Sequence, residues 1–126
     1  MPTCLIVDES NVIRKVATRI IFQLDFTVAN AATGTDALDM MRGEEELPDI
    51  VIVAAGLADI QSDAFVRAIR ARPNGTQVVI LASLVEANLG MMTRLKRAGC
   101  SGFIYKPFNR KSLMEWLKPY VSAAAA

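Results

Sequence analysis

Five short apolar runs, each followed by a longer amphipathic segment, organise the chain. The runs predict strands at residues 4–7, 26–29, 50–53, 78–81 and 103–105. The runs at 4–7 and 50–53 contain no polar residue, which is typical of strands covered on both faces of a parallel sheet. The alternation of strands with helical segments therefore predicts an α/β domain, with a parallel sheet between two layers of helices.

The segments between the runs carry helix signals. Ser10 or Asn11 is expected to cap the first helix, and Gly99 to end the fourth. Arg70 is expected to point mostly outward from the third helix, and Pro119 to weaken or end the last one. The domain is expected to span residues 1–122, with a frayed alanine tail at 123–126. The positions expected to face inward are Val12, Val16 and Ile20 on the first helix and Leu89, Met92 and Leu95 on the fourth.

Composition excludes several classes of chemistry. The 126 residues include no histidine, which removes histidine-based catalytic triads and histidine metal sites. The two cysteines, Cys4 and Cys100, are too few for a disulfide framework and indicate free thiols in a reducing cytoplasm. No apolar run reaches the 18 residues of a membrane span, and no secretory leader is visible, so a cytoplasmic location is expected.

Charge is distributed unevenly although the formal net charge is only +1. Residues 1–61 contain four basic and ten acidic side chains, whereas residues 62–126 contain ten basic and three acidic ones. This asymmetry indicates a basic face for an acidic partner, or ordinary solvated helix faces. Since the basic residues lie on separate helices without interleaved aromatic residues, the pattern argues against a nucleic-acid partner.

Chemically distinctive residues stand at the ends of the predicted strands, where open parallel sheets bind their ligands. Asp8 and Glu9 follow the first strand, and Lys106 follows the fifth. A carboxylate pair can hold Mg²⁺, and a lysine can stabilise phosphate charge. The alternative is an ion pair between Lys106 and one of the carboxylates. The other strand ends contribute Ala54 to Gly56, Ala82 and Ser83.

Three segments, residues 5–10, 48–49 and 102–108, resemble the receiver domain of bacterial two-component response regulators. The resemblance covers essentially the whole chain and implies a flavodoxin-like (βα)5 three-layer sandwich with strand order 2-1-3-4-5. It also implies phosphorylation of an aspartate at the end of strand three, with Mg²⁺ held by that aspartate and the acidic pair. A hydroxyl on strand four and Lys106 would contact the phosphoryl oxygens. Phe103 would be the switch aromatic, and the bond before Pro107 would be cis.

The sequence departs from the receiver pattern at the phosphorylation site. Ala54 falls at the phosphoacceptor position, and a methyl group can neither attack phosphorus nor ligate a metal. The strand-four hydroxyl position falls on Ala82, or on Ser83 if the register slips by one. Several losses around one site favour a natural pseudo-receiver over one engineered change. Asp59 is the nearest other acceptor candidate, although a solvated loop carboxylate is the preferred interpretation.

The resulting expectation is a non-enzymatic signalling protein that acts by phosphorylation-independent protein–protein interaction. No cofactor is expected, and Mg²⁺ binding through Asp8, Glu9 and Gly56 should be weak or absent. The partner would be a histidine kinase, another regulator or a motility or cell-cycle component; the oligomeric state stays open. Alternatives are a phosphoaccepting receiver disabled by an engineered change at residue 54, and an anion- or nucleotide-binding sensor. The expected interface residues on helix four, strand five and helix five are Arg94, Arg97, Tyr105, Lys111 and Trp116.

Overall fold

The computed structural model describes residues 2–43 and 46–125, with side chains described as far as residue 121. Strands and helices alternate throughout. The elements are β1 Thr3–Val7, α1 Asn11–Phe22, β2 Thr27–Ala31, α2 Gly34–Met41, β3 Ile50–Ala54, α3 Ser62–Arg70, a 3-10 turn at Gly75–Gln77, β4 Val79–Leu84, α4 Leu89–Ala98, β5 Gly102–Tyr105 and α5 Arg110–Ala125.

The five strands form one parallel sheet in the order β2-β1-β3-β4-β5. This confirms the expected strand order and the three-layer sandwich. Two strands end more than one residue beyond their predicted bounds, since β2 ends at Ala31 rather than residue 29, and β4 reaches Leu84 rather than residue 81. The other strand ends agree with the prediction to within one residue. The extension of β4 matters for function because it carries Ser83 to the edge of the sheet where the other strand ends meet.

Side chains of the central strands alternate between two buried clusters, one on each face of the sheet. Leu5 and Val53 belong to the cluster covered by α2, α3 and α4. Ile6 and Ile52 belong to the cluster covered by α1 and α5. The uninterrupted apolar runs are therefore buried on both faces, as the sequence pattern predicted.

Capping residues define the starts and ends of several helices. The Ser10 hydroxyl accepts a hydrogen bond from the Ile13 amide at the start of α1. Gly99 ends α4 with a φ of 111°, a conformation that glycine adopts without steric cost. Pro119 lies inside α5 and does not end it, contrary to expectation. Its ring sits on the exposed side, where water can bond the carbonyl that loses its helical partner, and the helix continues to Ala125. Ala126 lies outside the described residues.

Three side-chain orientations predicted from periodicity are wrong. Val12 is 68% exposed and Leu89 is 81% exposed. Each lies in the first turn of its helix, which begins beyond the edge of the sheet, so no strand is there to cover it. Arg70 does not point outward but donates to the carbonyls of Gly99, Gly75 and Val78. No helix among the described residues combines the length and the apolar character that crossing a bilayer requires.

Candidate functional site

Four side chains from four neighbouring strands meet at the carboxyl edge of the sheet. Asp8, Ala54, Ser83 and Lys106 each stand two residues beyond a buried side chain of the cluster under α1 and α5, so they share one face. Ala54 pairs with Ser83 in the β3–β4 register, and the Lys106 amide donates to the Leu84 carbonyl at 2.8 Å. They line an open cleft of about 410 Å³.

The best-defined interaction in the cleft is an ion pair between Asp8 and Lys106. Lys106 Nζ lies 2.9 Å from Asp8 Oδ2, and the two side chains are 16% and 6% exposed. The other carboxylate oxygen, Asp8 Oδ1, accepts a hydrogen bond from the Ser10 amide at 2.9 Å. Both oxygens of Asp8 are therefore engaged within the chain, which matches the ion-pair alternative considered for this lysine.

Glu9 makes a different contact from Asp8, although the two are adjacent in sequence. Its side chain is exposed, and Oε1 accepts a hydrogen bond from the Ala58 amide at 2.8 Å. The Arg14 guanidinium donates to the backbone carbonyls of Asp8 and Glu9, which fixes the turn between β1 and α1. The two adjacent acids therefore have different partners. Asp8 forms an ion pair with Lys106, which follows β5, and Glu9 accepts a hydrogen bond from the β3–α3 loop.

Ala54 and Ser83 form the floor of the cleft between the charged groups. Ser83 is 3% exposed, and no hydrogen-bond partner for its hydroxyl exists in the described part of the chain. Ala82 faces the opposite side of the sheet and lies in the cluster under α2, α3 and α4. Of the two strand-four positions considered from the sequence, Ser83 is therefore the one that lines the cleft.

The groups expected to hold Mg²⁺ are partly engaged by contacts within the chain. Mg²⁺ requires near-octahedral oxygen coordination, usually with one or two carboxylates free to bind it. Asp8 is occupied by Lys106 and the Ser10 amide, and residue 54 offers only a methyl group. Gly56, the third residue considered for metal binding, lines the cleft but contributes only backbone. No group of three or more acidic, histidine or cysteine side chains is placed to hold a metal within residues 2–43 and 46–125.

Asp59 has a structural role that the sequence analysis missed. Its carboxylate accepts hydrogen bonds from the amides of Gly34 and Thr35, at 3.1 and 2.7 Å, and from the Thr35 hydroxyl at 2.6 Å. The hydrogen bond from the Thr35 side chain is the main cause that lowers the pKa of Asp59 to about 2. Asp59 is therefore exposed but not merely solvated, since it ties the β3–α3 loop to the amino terminus of α2. The only sequence signal was an acidic residue in a loop, which does not identify its partner.

The remaining residues of the strand-five motif lie beside the cleft. The Lys106–Pro107 peptide bond is cis. Phe103 is half-buried and packs against the cluster under α2, α3 and α4. Phenylalanine has no hydroxyl, so this ring can contribute packing but no hydrogen bond.

The residues proposed for partner binding lie on α4, β5 and α5. Arg94, Arg97 and Lys111 are exposed, and none of them forms an ion pair within the described residues. The rings of Tyr105 and Trp116 pack edge to face, with centroids 6.1 Å apart and an interplanar angle of 65°. This contact joins edge strand β5 to α5 through two half-buried aromatic rings.

Fold and site together define a parallel α/β domain with a charged cleft at the carboxyl ends of its strands. Residues 4–118 match the family model described as the response regulator receiver domain, and the chain belongs to this family. The chemotaxis protein CheY of Pseudomonas aeruginosa is 28% identical over 112 residues, which cover 88% of this chain and 89% of that protein.

Two solved structures illustrate the likeness in three dimensions. The chemotaxis response regulator CheY4 of Vibrio cholerae superposes with a TM-score of 0.87 at 26% identity, covering 95% of this chain and 98% of that one. The receiver domain of the sensor histidine kinase PA1611 from Pseudomonas aeruginosa superposes with a TM-score of 0.82, also at 26% identity. The match covers 96% of this chain and 98% of that receiver domain, which holds a magnesium ion in its active-site cleft.

Proposed function

We propose that this receiver domain is a pseudo-receiver, a signalling module that binds a protein partner without being phosphorylated. The observation that carries the proposal is the alanine at the end of β3. Ala54 is paired with Ser83 across the floor of the cleft, at the place where the resemblance puts the phosphoacceptor. A methyl group has no lone pair with which to attack phosphorus, so the chain lacks the nucleophile of the reaction.

The neighbouring contacts engage, within the chain itself, the charged groups that the resemblance assigns to Mg²⁺ and the phosphoryl group. Lys106 is paired with Asp8, and Glu9 is bonded to the Ala58 amide. Each of these groups therefore has a partner without any added ligand. We expect one stable conformation of the cleft in the absence of phosphorylation, and hence constitutive binding of the partner.

The surface of α4, β5 and α5 is the proposed docking face. Arg94, Arg97 and Lys111 give it positive charge, and none of the three forms an ion pair within the described residues. The Tyr105–Trp116 pair adds half-buried aromatic surface, and aromatic and arginine residues are enriched at protein interfaces. The partner that suits this surface is an acidic protein: a histidine kinase, another regulator, or a motility or cell-cycle component.

Intact-mass measurement tests the central claim. The chain is mixed with Mg²⁺ and acetyl phosphate, beside an Ala54→Asp variant. The proposal expects no phosphoryl adduct on the native chain. A stable single adduct on the native chain would show that another residue accepts the phosphoryl group and would refute the proposal.

A receiver disabled by one engineered change at residue 54 is the second candidate. The intact Asp8–Lys106 pair and the hydroxyl of Ser83 in the cleft favour it, because these groups would serve phosphorylation if an aspartate stood at residue 54. The Ala54→Asp variant separates the two. Efficient Mg²⁺-dependent phosphorylation of that variant would support the disabled receiver. Absence of phosphorylation would indicate that other residues needed for phosphorylation are missing as well.

Charge reversal tests the docking face separately. The partner is first captured with the native chain and identified. Binding is then measured for Arg94→Glu, Arg97→Glu and Lys111→Glu, with Lys15→Glu on α1 as the matched control. We expect each reversal on the face to weaken binding and the control to leave it unchanged. Equal binding by all variants would place the interface elsewhere.

A further inference from the structure

The cleft at residue 54 is lined by apolar walls as well as charged groups. Its apolar lining comes from the strand ends, the β4–α4 loop and α4. These residues are Ala54, Ala55, Leu84, Val85 and Met91. The mouth is also apolar, since Val85 is 74% exposed and Leu89, next to the cleft residue Asn88, is 81% exposed. Such a cleft can hold the hydrocarbon stem of a long side chain.

Ser83 adds a polar group at the floor. It is 3% exposed, lines the cleft, and has no hydrogen-bond partner in the described part of the chain. Its oxygen is open to the cleft, since no fully enclosed side-chain oxygen of the described residues lacks a partner, so the hydroxyl can bond water or a ligand there. A polar group that enters the cleft and reaches its floor can therefore form a hydrogen bond with the Ser83 hydroxyl.

The net charge of the cleft determines whether the polar group that enters it is a cation or an anion. Asp8, Glu9 and Glu86 line it against a single ammonium, that of Lys106. Lys106 is already paired with Asp8, whereas Glu9 uses only Oε1, for the Ala58 amide, and Glu86 forms no ion pair among the described residues. The unbalanced charge is therefore negative, which favours a cation and opposes an anion.

We propose that the cleft receives a cationic side chain, lysine or arginine, from a partner protein. The stem packs between Ala54 and Met91, and the charged head lies between the Glu9 carboxylate and the Ser83 hydroxyl. The inference rests on the proposed function in one respect, namely that the chain binds a protein partner and does not accept a phosphoryl group. The small side chain of Ala54 then has a role, because a carboxylate at residue 54 would occupy the space that the stem fills.

An NMR titration of the ¹⁵N-labelled chain with butylguanidinium tests the proposal. Butylurea, a neutral molecule of similar shape, and inorganic phosphate are titrated in parallel. The proposal expects saturable shifts of the cleft amides, those of Ala55, Gly56, Ser83 and Val85, with butylguanidinium only. Equal shifts with butylurea, shifts of these amides with phosphate, or no saturable cleft shift with butylguanidinium would each overturn it.

Two variants connect the shifts to the named groups. Glu9→Gln keeps an acceptor for the Ala58 amide and removes the charge, and we expect butylguanidinium to bind about fivefold more weakly. Ser83→Ala is expected to weaken binding as well, whereas Glu115→Gln, an exposed change on α5, should not. Unchanged affinity in the first two variants would overturn the assignment. A phosphoryl adduct on the native chain would refute the proposed function without altering the titration, so the two failures are distinguishable.

Discussion

The ion pair between Asp8 and Lys106 offers the sharpest test of what the lysine does in a cleft that has alanine at residue 54. If the pair stabilises the fold, the two residues must be energetically coupled. A double-mutant cycle of Asp8→Asn, Lys106→Met and the double variant measures that coupling. Asparagine keeps an oxygen that can accept from the Ser10 amide, so the cycle removes charge with little other change.

The expected magnitudes follow from burial. Removing one partner of a fully buried pair costs about 3–5 kcal/mol because a charge is left uncompensated. Lys106 is 16% exposed and Asp8 keeps its bond from Ser10, so we expect about 3 kcal/mol for Lys106→Met. Asp8→Asn should cost about 1.5 kcal/mol, since the remaining ammonium can reach water through the cleft. With a double variant near 3 kcal/mol, the coupling is about 1.5 kcal/mol.

Urea unfolding at pH 7 measures these free energies from the shift in midpoint at constant slope. Asp39 and Arg42 provide the matched control, because their ion pair is shorter, at 2.7 Å, but 52% and 79% exposed. Exposed pairs contribute about 0.2–1 kcal/mol, so that cycle should show the smaller coupling. A coupling below about 0.5 kcal/mol for Asp8 and Lys106 would refute a structural role for the pair.

Three further predictions concern residues outside the cleft. Arg70→Met should lower the free energy of unfolding by about 3 kcal/mol, because it removes hydrogen bonds from a charged donor to three backbone carbonyls. The control Arg97→Met, at an exposed residue, should change the free energy of unfolding by no more than about 0.5 kcal/mol. Equal stability of the two variants in urea would refute this prediction. The folded pKa of Asp59, about 2, lies below its ordinary value of 3.8, so the stability that its carboxylate contributes is present above pH 4 and is lost as the pH falls towards 2. Thermal unfolding of Asp59→Asn should therefore show a less stable protein than the native chain at pH 6. The difference between the two should become smaller in acid. Burial raises the pKa of the Cys4 thiol to about 12 and also raises that of Cys100, so both should resist a thiol reagent in the folded chain and react once urea unfolds it. Rapid reaction of either thiol without unfolding would contradict that expectation.

The fold could be predicted because its signals are local. Uninterrupted apolar runs gave the strands, and helix periodicity gave the layers that cover them. Side-chain burial at the ends of helices was less predictable. Val12 and Leu89 fit the apolar periodicity of their helices, but this periodicity does not show where the sheet that covers the helices ends. Arg70 departs from its predicted outward orientation because its partners are carbonyls from 5 to 29 residues away, and backbone acceptors leave no pattern in a sequence.

The site was predictable only where side chains follow strands directly. Asp8 and Lys106 meet because both strand ends lie at the same edge of a parallel sheet. The partners of Glu9 and Asp59, by contrast, are set by the path of the β3–α3 loop, which brings the Ala58 amide to Glu9 and the Asp59 carboxylate to the start of α2. Loop paths depend on tertiary packing, so neither tether could be read from the residues alone.

Restoring the carboxylate at residue 54 tests the electrostatic logic of the cleft as a whole. Asp8, Glu9 and Glu86 already line it with one ammonium, so Ala54→Asp adds a fourth carboxylate to a site that already has more acids than bases. Like charges a few ångströms apart repel by on the order of 1–3 kcal/mol in a partly solvated site. We therefore expect the variant to unfold at lower urea than the native chain in EDTA, and to regain stability with Mg²⁺. Ala54→Asn is the control, because it has the same shape without the charge and should show no Mg²⁺ dependence. Equal midpoints for the aspartate and asparagine variants in EDTA would mean that the repulsion is negligible, and that alanine at residue 54 does not reduce the need of the cleft for a cation.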